Sequence, residues 1–185
     1  MRTYVFWHDV RSGGAEVCVL ASSGKRNVLQ GTVLRPFNDE PAIVRYRVEA
    51  DPTWRTTNVW TEVETAKGTR ELELSADGEG HWSGSGESLA ELDACIDVDL
   101  GVSPSTNTLP IRRLELQEEE AKDVRAAWVR YPELTVEVLE QSYERIAPDR
   151  YTYRSSTFKA DLVVDENGVV LDYEGAWVAK AVDRA

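Results

Sequence analysis

Two carboxylates and two arginines fall within one short span of this chain: Asp97 and Asp99, then Arg112 and Arg113. Cys95 to Leu100 alternates, with Ile96, Val98 and Leu100 on one side and Cys95, Asp97 and Asp99 on the other. A period of two marks a strand with one apolar face. Gly101 to Thr108 has the Gly, Pro, Ser, Thr and Asn content of a connection. Leu109 to Leu116 reads as a second strand, interrupted by the two arginines. Adjacent strand side chains point to opposite faces, so one guanidinium is drawn inward beside apolar residues. A buried guanidinium needs a partner, and Asp97 and Asp99 are the nearest acids. The pattern predicts one paired network of Asp97, Asp99, Arg112 and Arg113 between neighbouring strands, bordered by Asn107. Three uses stay open for it: an ion-pair cluster holding strands in register, polar contacts for a sugar or phosphate head, or an Asp-x-Asp metal site. The third lacks further ligands, because His8 and His81 are isolated and no cysteine pair has metal spacing.

Other chemistries find less support. Ser85 and Ser105 lie in Gly- and Ser-rich stretches without a nucleophile elbow, and neither histidine has the setting of a general base. Gly84-Ser85-Gly86 is a turn, since no Lys-Ser/Thr follows it as in a phosphate loop. Asp97 and Asp99 would sit ~7 Å apart on a strand, a separation that suits an inverting glycosidase. They share one environment, however, and nothing in the sequence separates their acidities. Six tryptophans suit either core anchors or a pocket for sugar rings and acyl chains. Trp54 stands out because Arg55, Thr56 and Asn58 follow it, so only one face of that segment can be core.

The elements that must position these groups are mostly strands. Tyr4–Asp9, Glu16–Ala21, Val28–Leu34, Ile43–Glu49, Thr135–Tyr143, Tyr151–Ser155, Phe158–Val164 and Val169–Tyr173 are short and β-rich. Trp54–Thr65 and Arg70–Ser75 form a hairpin pattern turning at Lys67-Gly68, and 165–168 is another hairpin turn. One helix is expected over Glu118–Tyr131, where Ala121, Val124, Trp128 and Tyr131 follow three-and-four spacing. A helical turn is expected near Ser88 from a capping-box pattern. Many short strands with little helix imply a sandwich or open barrel. A faint echo between Trp54…Trp82 and Phe158…Trp177 divides the domain, residues 1–185, at about residue 86.

The chain has 185 residues and a formal net charge of −12, which disfavours a nucleic-acid or anionic-membrane partner. Strand-like alternation begins directly after Met1, with no signal-peptide core, and no run approaches the ~18 apolar residues of a membrane span. A cytoplasmic protein is expected, with Cys18 and Cys95 as two buried thiols.

Thr106-Asn107-Thr108-Leu109-Pro110-Ile111-Arg112-Arg113-Leu114, preceded by Asp97-Val98-Asp99-Leu100, resembles the signature of the bacterial putative glycolipid-binding family. Trp54-Arg55, Gly80-His81-Trp82, Ala127-Trp128-Val129, Gln141-Ser142-Tyr143 and Gly168-Val169-Val170 with Tyr173 match in the same order. Two positions depart from it: Ser105, where the family usually has an aromatic, and Thr57, where it usually has an arginine. The resemblance implies an antiparallel split barrel similar to bacterial lipoprotein carriers, around a groove. It also implies non-enzymatic binding of an amphiphile such as a glycolipid, without cofactor or metal. The alternatives are a small hydrolase or isomerase acting on a sugar-like ligand, and a ligand-free interaction domain. The candidate contact residues are Trp54, Arg55, Trp82, Asp97, Asp99, Asn107, Arg112 and Arg113.

Overall fold

Alternating burial runs through nearly every segment of the chain. In β1 (Arg2–Asp9), Thr3, Val5, Trp7 and Asp9 point inward while Arg2, Tyr4 and Phe6 stay in solvent. In β4 (Glu40–Ala50), Ala42, Val44, Tyr46, Val48 and Ala50 are buried in the same way. Period-two burial of this kind is stable only when strands lie side by side and share one dry face. A computed structural model describes residues 1–185 and shows that arrangement.

The first half is a meander of antiparallel strands. β2 (Ala15–Ser22), β3 (Asn27–Phe37), β5 (Thr56–Thr65), β6 (Gly68–Ala76), β7 (Trp82–Gly84) and β8 (Glu87–Ser88) join β1 and β4 in chain order. The second half contains β9 (Asp97–Leu100), β10 (Ala121–Arg130), β11 (Thr135–Ala147), β12 (Arg150–Ser155), β13 (Lys159–Val164), β14 (Val170–Tyr173) and β15 (Trp177–Arg184). β1 pairs with β15, which fuses both halves into one fifteen-stranded sheet ending at β8 and β9. β9 and β10 are the one parallel pair. The free edge of β9 is covered, because the hydroxyls of Thr56 and Thr106 accept from the amides of Val98 and Leu100. The result is a mainly β open barrel.

Two cores lie on the inner side. The larger has 28 buried residues, among them Trp7, Tyr46, Trp54, Trp82 and Val129. The smaller has nine, including Ile111, Tyr143, Tyr151, Tyr153 and Leu162. Trp7 clamps the halves together: its ring is 2% exposed and its indole N–H donates to the Val170 carbonyl at 2.7 Å. Truncating such a side chain typically costs ~3–5 kcal/mol.

Three sequence expectations change. The helix lies at α1 (Thr108–Leu114), not at Glu118–Tyr131, and the expected strand Leu109–Leu116 is that helix. Pro110 falls in its first turn, where no intrahelical N–H is needed, so a proline that looks like a strand interruption is compatible with helix. Leu109 enters the large core and Ile111 the small one, so α1 is held between the halves. The segment expected as helix is β10. Ala126, Ala127 and Val129 are completely buried, and a strand covered on both faces shows no period of two. β15 has no apolar alternation of its own and becomes a strand by pairing with β1. The turn near Ser88 appears as a short 3-10 helix over Ala90–Leu92.

Candidate functional site

β9 carries Asp97 and Asp99 toward the second half of the barrel and Val98 and Leu100 into the large core. The two carboxylates have different fates. Asp97 is 1% exposed and receives both Nε and Nη2 of Arg113, at 3.1 and 2.5 Å. Burial pushes its acidity down, raising the pKa, and the guanidinium opposes that rise. Asp99 has no cation. Its Oδ2 accepts from the Gln141 side-chain amide, and burial lifts its carboxyl to about 6, partly offset by that hydrogen bond. The other amide hydrogen of Gln141 goes to the Tyr153 hydroxyl at 3.1 Å.

Asp99 opens into a cleft of about 540 Å³ between the Gly101–Asn107 connection and strands β10 to β12, with the β14–β15 turn at one end. Ser103, Asn107 and Tyr153 add polar atoms to its wall, and Trp128, Phe158, Tyr173 and Trp177 supply rings. Tyr153 packs edge-on to Tyr143 at 5.4 Å and to Tyr173 at 6.1 Å, and Phe158 lies 6.0 Å from Tyr173. Such tilted contacts fix ring orientation at a modest energetic gain. Asn107 is set by two bonds: its amide donates to the Pro104 carbonyl, and its carbonyl accepts from Tyr143 at 2.8 Å. Trp128 can approach the connection closely because residue 101 is glycine. A Cβ there would be 2.7 Å from the indole nitrogen.

The two arginines at the cleft are already engaged. Arg11 lies over Phe158 at 4.9 Å and donates to the Gly175 carbonyl. Arg130 lies over Trp128 at 5.0 Å and pairs with Glu137 at 3.3 Å. A wider trough of about 870 Å³ runs over the outward side of β1–β5, past Tyr4, Val17, Gln30 and Trp60. It is the solvent face of the sheet, and its Arg45 and Arg47 are tied to Glu62, Glu64 and Glu49. Asp99 makes the smaller cleft the chemically distinctive one.

The expected four-residue network therefore does not form as one unit. Arg113 and Asp97 pair, Asp99 turns to Gln141, and the Arg112 guanidinium makes neither a hydrogen bond nor an ion pair within the chain. Neighbouring positions on a helix point ~100° apart, so α1 sends Arg113 to β9 and Arg112 across the Trp54 ring, 5.4 Å from its centroid. Trp54 is buried with φ +69°, a left-handed conformation rare for a bulky residue. The Asp51 carboxylate holds that turn by accepting from the amides of Thr53 and Arg55. Arg55 lies on the surface with Glu79 and the Gly78 carbonyl. Trp82 is in the large core, its indole N–H on the Cys95 carbonyl at 2.7 Å. Of the candidate residues, Asp99 and Asn107 share the cleft. The ring wall and Gln141 were not among them, although Tyr151-x-Tyr153 already places a ring on each alternate position.

Behind the cleft wall lies a second polar group. Glu16 is 1% exposed on the inner face of β2, and its Oε1 accepts from Tyr46 and, at 2.8 Å, from Ser103. The Ser105 hydroxyl is bonded to both Tyr46 and Ser103 at 2.8 Å. Oε2 has no partner. Burial without a cation lifts the Glu16 carboxyl to about 8, against the two hydrogen bonds. Ser105, the position where an aromatic is usual, is thus part of this buried network.

A family model described as "Putative glycolipid-binding" matches residues 4–179. The chain belongs to this family. A solved structure, that of a DUF1089 family protein from Pseudomonas aeruginosa, is 36% identical over 88% of this chain and 89% of that one, with a TM-score of 0.78. A β-barrel-like DUF1849 protein from Brucella abortus, 11% identical, covers 98% of this chain and 96% of that one with a TM-score of 0.57, a likeness of fold alone. No curated protein matches the chain. No helix is long and apolar enough to cross a membrane.

Proposed function

We propose that this protein binds a small amphiphile, a glycolipid being the class its family description suggests, without transforming it. The observation that carries this reading is Asp99: a carboxylate without a cation, opening into a cleft walled by six-membered rings and indoles. Leaving such a group half-paired costs stability, and a ligand that completes its hydrogen bonds recovers the loss. The rings offer apolar surface to the faces of a sugar or to the first methylenes of a chain. Each methylene buried would contribute ~0.8 kcal/mol before ordering costs.

In this reading Asp99 and Asn107 meet the polar head. Asp97 and Arg113 hold the wall behind them, and Trp54, Arg55, Trp82 and Arg112 shape the surrounding halves. The whole chain acts as one unit, since the cleft draws Arg11 from the first half and Asp99, Trp128 and Trp177 from the second. Native mass spectrometry of the protein purified from its own host tests it, followed by lipid extraction. A bound molecule with both sugar and acyl fragments is the expected result. Absence of any adduct, together with unchanged tryptophan fluorescence on titration with a fatty-acyl probe, would refute the proposal.

A further inference from the structure

Nearly every half-buried arginine here has a carboxylate: Arg35 on Asp9, Arg55 on Glu79, Arg113 on Asp97, Arg125 on Glu140 and Arg154 on Glu144. Arg112 is the exception. It is half-buried near the end of α1, its N–H groups meet no acceptor in the protein, and none of its nitrogens is sealed from solvent. The side chain is nevertheless held in place. Its stem lies against the β13–β14 turn, where a Cβ on Gly168 would come within 3.1 Å of Arg112 Cδ, and its head rests on the Trp54 ring. Trp54 keeps that position with its left-handed φ, the kind of backbone strain that collects at functional positions. A guanidinium fixed in this way, with its donors free, is organised for a ligand rather than for the fold.

Arg112 opens into a pocket of about 380 Å³ between α1, the β11–β12 turn and the β13–β14 turn, which shares no lining residue with the Asp99 cleft. Two further groups face the same space. Arg145 donates to the carbonyls of Leu116, Ala147 and Pro148 and to no carboxylate, so its charge is uncompensated. The Tyr151 hydroxyl has no hydrogen-bond partner; burial raises its pKa, and the fields of Arg145 and Arg112 both oppose that rise. Asp165, the half-buried acid of the pocket, is already spent: Oδ1 accepts from the amides of Asn167 and Val169, and Oδ2 pairs with Arg184. Glu115 and Glu166 are exposed at the rim and pair with neither arginine.

We propose that this pocket is a second binding site and that it takes a phosphate monoester. The Arg112 guanidinium offers parallel N–H groups to two phosphate oxygens, the Tyr151 hydroxyl donates to a third, and Arg145 supplies charge beside them. A carboxylate is satisfied by Arg112 alone, leaves the phenol unused and carries less charge. The net charge of −12 opposes any anion at long range, but salt screens that field beyond ~8 Å, whereas Arg112 acts at contact. The head of a phosphorylated lipid and a soluble phosphate ester share this chemistry. The site is separate from the amphiphile cleft and does not depend on it.

Calorimetric titration with methyl phosphate, acetate and octyl phosphate, in about 0.15 M salt near neutral pH, tests the assignment. Methyl phosphate is expected to bind at least about tenfold more tightly than acetate, and Arg112→Gln to weaken it by about tenfold to a hundredfold, the worth of hydrogen bonds to a charged group. Because Arg112 makes no hydrogen bond in the chain, that variant should keep the native dichroism spectrum. Tyr151→Phe retains the ring and should weaken methyl phosphate by roughly threefold to tenfold while leaving acetate unchanged. Octyl phosphate bound more than about tenfold tighter than methyl phosphate, and released by Arg112→Gln, supports the site with a lipid head as its source; similar affinities support it with a soluble ester. No methyl phosphate binding at millimolar concentration, acetate bound as tightly, or an affinity unchanged in both variants would overturn the phosphate site and leave the amphiphile reading standing.

Discussion

Glu16→Gln is the substitution whose effect can be worked out most fully. The carboxyl is fully enclosed, receives hydrogen bonds from Tyr46 and Ser103, and has no cation near it, which lifts it from 4.5 to about 8. In the unfolded chain the same group ionises from about pH 4.5. Between those values the folded protein holds a proton that the unfolded chain has lost, so stability falls as pH rises through the window. The contribution is about 1 kcal/mol at pH 5, about 3 kcal/mol at pH 7, and levels off at roughly 4–5 kcal/mol above pH 8.5. Glutamine cannot titrate. Its extra amide hydrogens lie where Oε2 has no partner, which adds a cost that is the same at every pH. Urea midpoints of both proteins, measured from pH 5 to pH 9, separate the two effects. The difference between them should move by about 2 kcal/mol in favour of glutamine between pH 5 and pH 7. Other groups raised by burial, Asp97 and Asp99 among them, titrate in both proteins and cancel. Parallel pH profiles, or a gap that moves toward wild type, would refute the argument that Glu16 is buried as a neutral acid.

The remaining expectations concern the central stretch. Arg113→Ala strands Asp97 in the interior and should cost ~3–5 kcal/mol in denaturant melts near neutral pH, less at acidic pH where the lone carboxyl can take a proton. Arg112→Ala removes only a contact with the Trp54 ring and should cost ~1 kcal/mol; equal losses in the two variants would contradict this division of labour. Asp99→Asn should stabilise the ligand-free protein by roughly 2–3 kcal/mol above pH 7, because a carboxyl lifted from 3.8 to about 6 is paying for its burial. A loss of stability there would place Asp99 in a structural role. Gly101→Ala forces a methyl against the Trp128 indole, and a cost of ~1–3 kcal/mol with a shifted tryptophan emission maximum is expected; a silent substitution would mean the connection is free to move.

Much of the fold is written locally. Short β-branched and aromatic runs in β1, β2 and β4, and the Lys67-Gly68 turn between β5 and β6, mark strands and hairpins before any partner is known. The order of types from Asp97 to Leu114 was enough to place the chain in its family, and to single out a stretch where carboxylates and guanidinium groups meet. Local pattern fails where burial is two-sided. Ala126, Ala127 and Val129 put buried residues on both faces of β10, and in one dimension a strand of that kind carries the same signal as a buried helix. α1 is the converse, seven residues too short to show a helical period and carrying a proline in a position that only its first turn makes acceptable.

The site needed the tertiary structure for a different reason. Asp97 and Asp99 are chemically identical and share one side of one strand, so nothing local distinguishes them. Their difference is imposed by what arrives from elsewhere: Arg113 from α1 to the first, Gln141 from β11 to the second. Electrostatic character depends on the neighbours within a few ångströms, and those neighbours lie 16 and 42 residues away in sequence. Glu16 is the same case, an ordinary surface-looking glutamate until Ser103, 87 residues on, closes over it. Residue type and spacing determined which groups could do chemistry; the curling of one open sheet around α1 decided which carboxylate faces a cation and which faces a cleft.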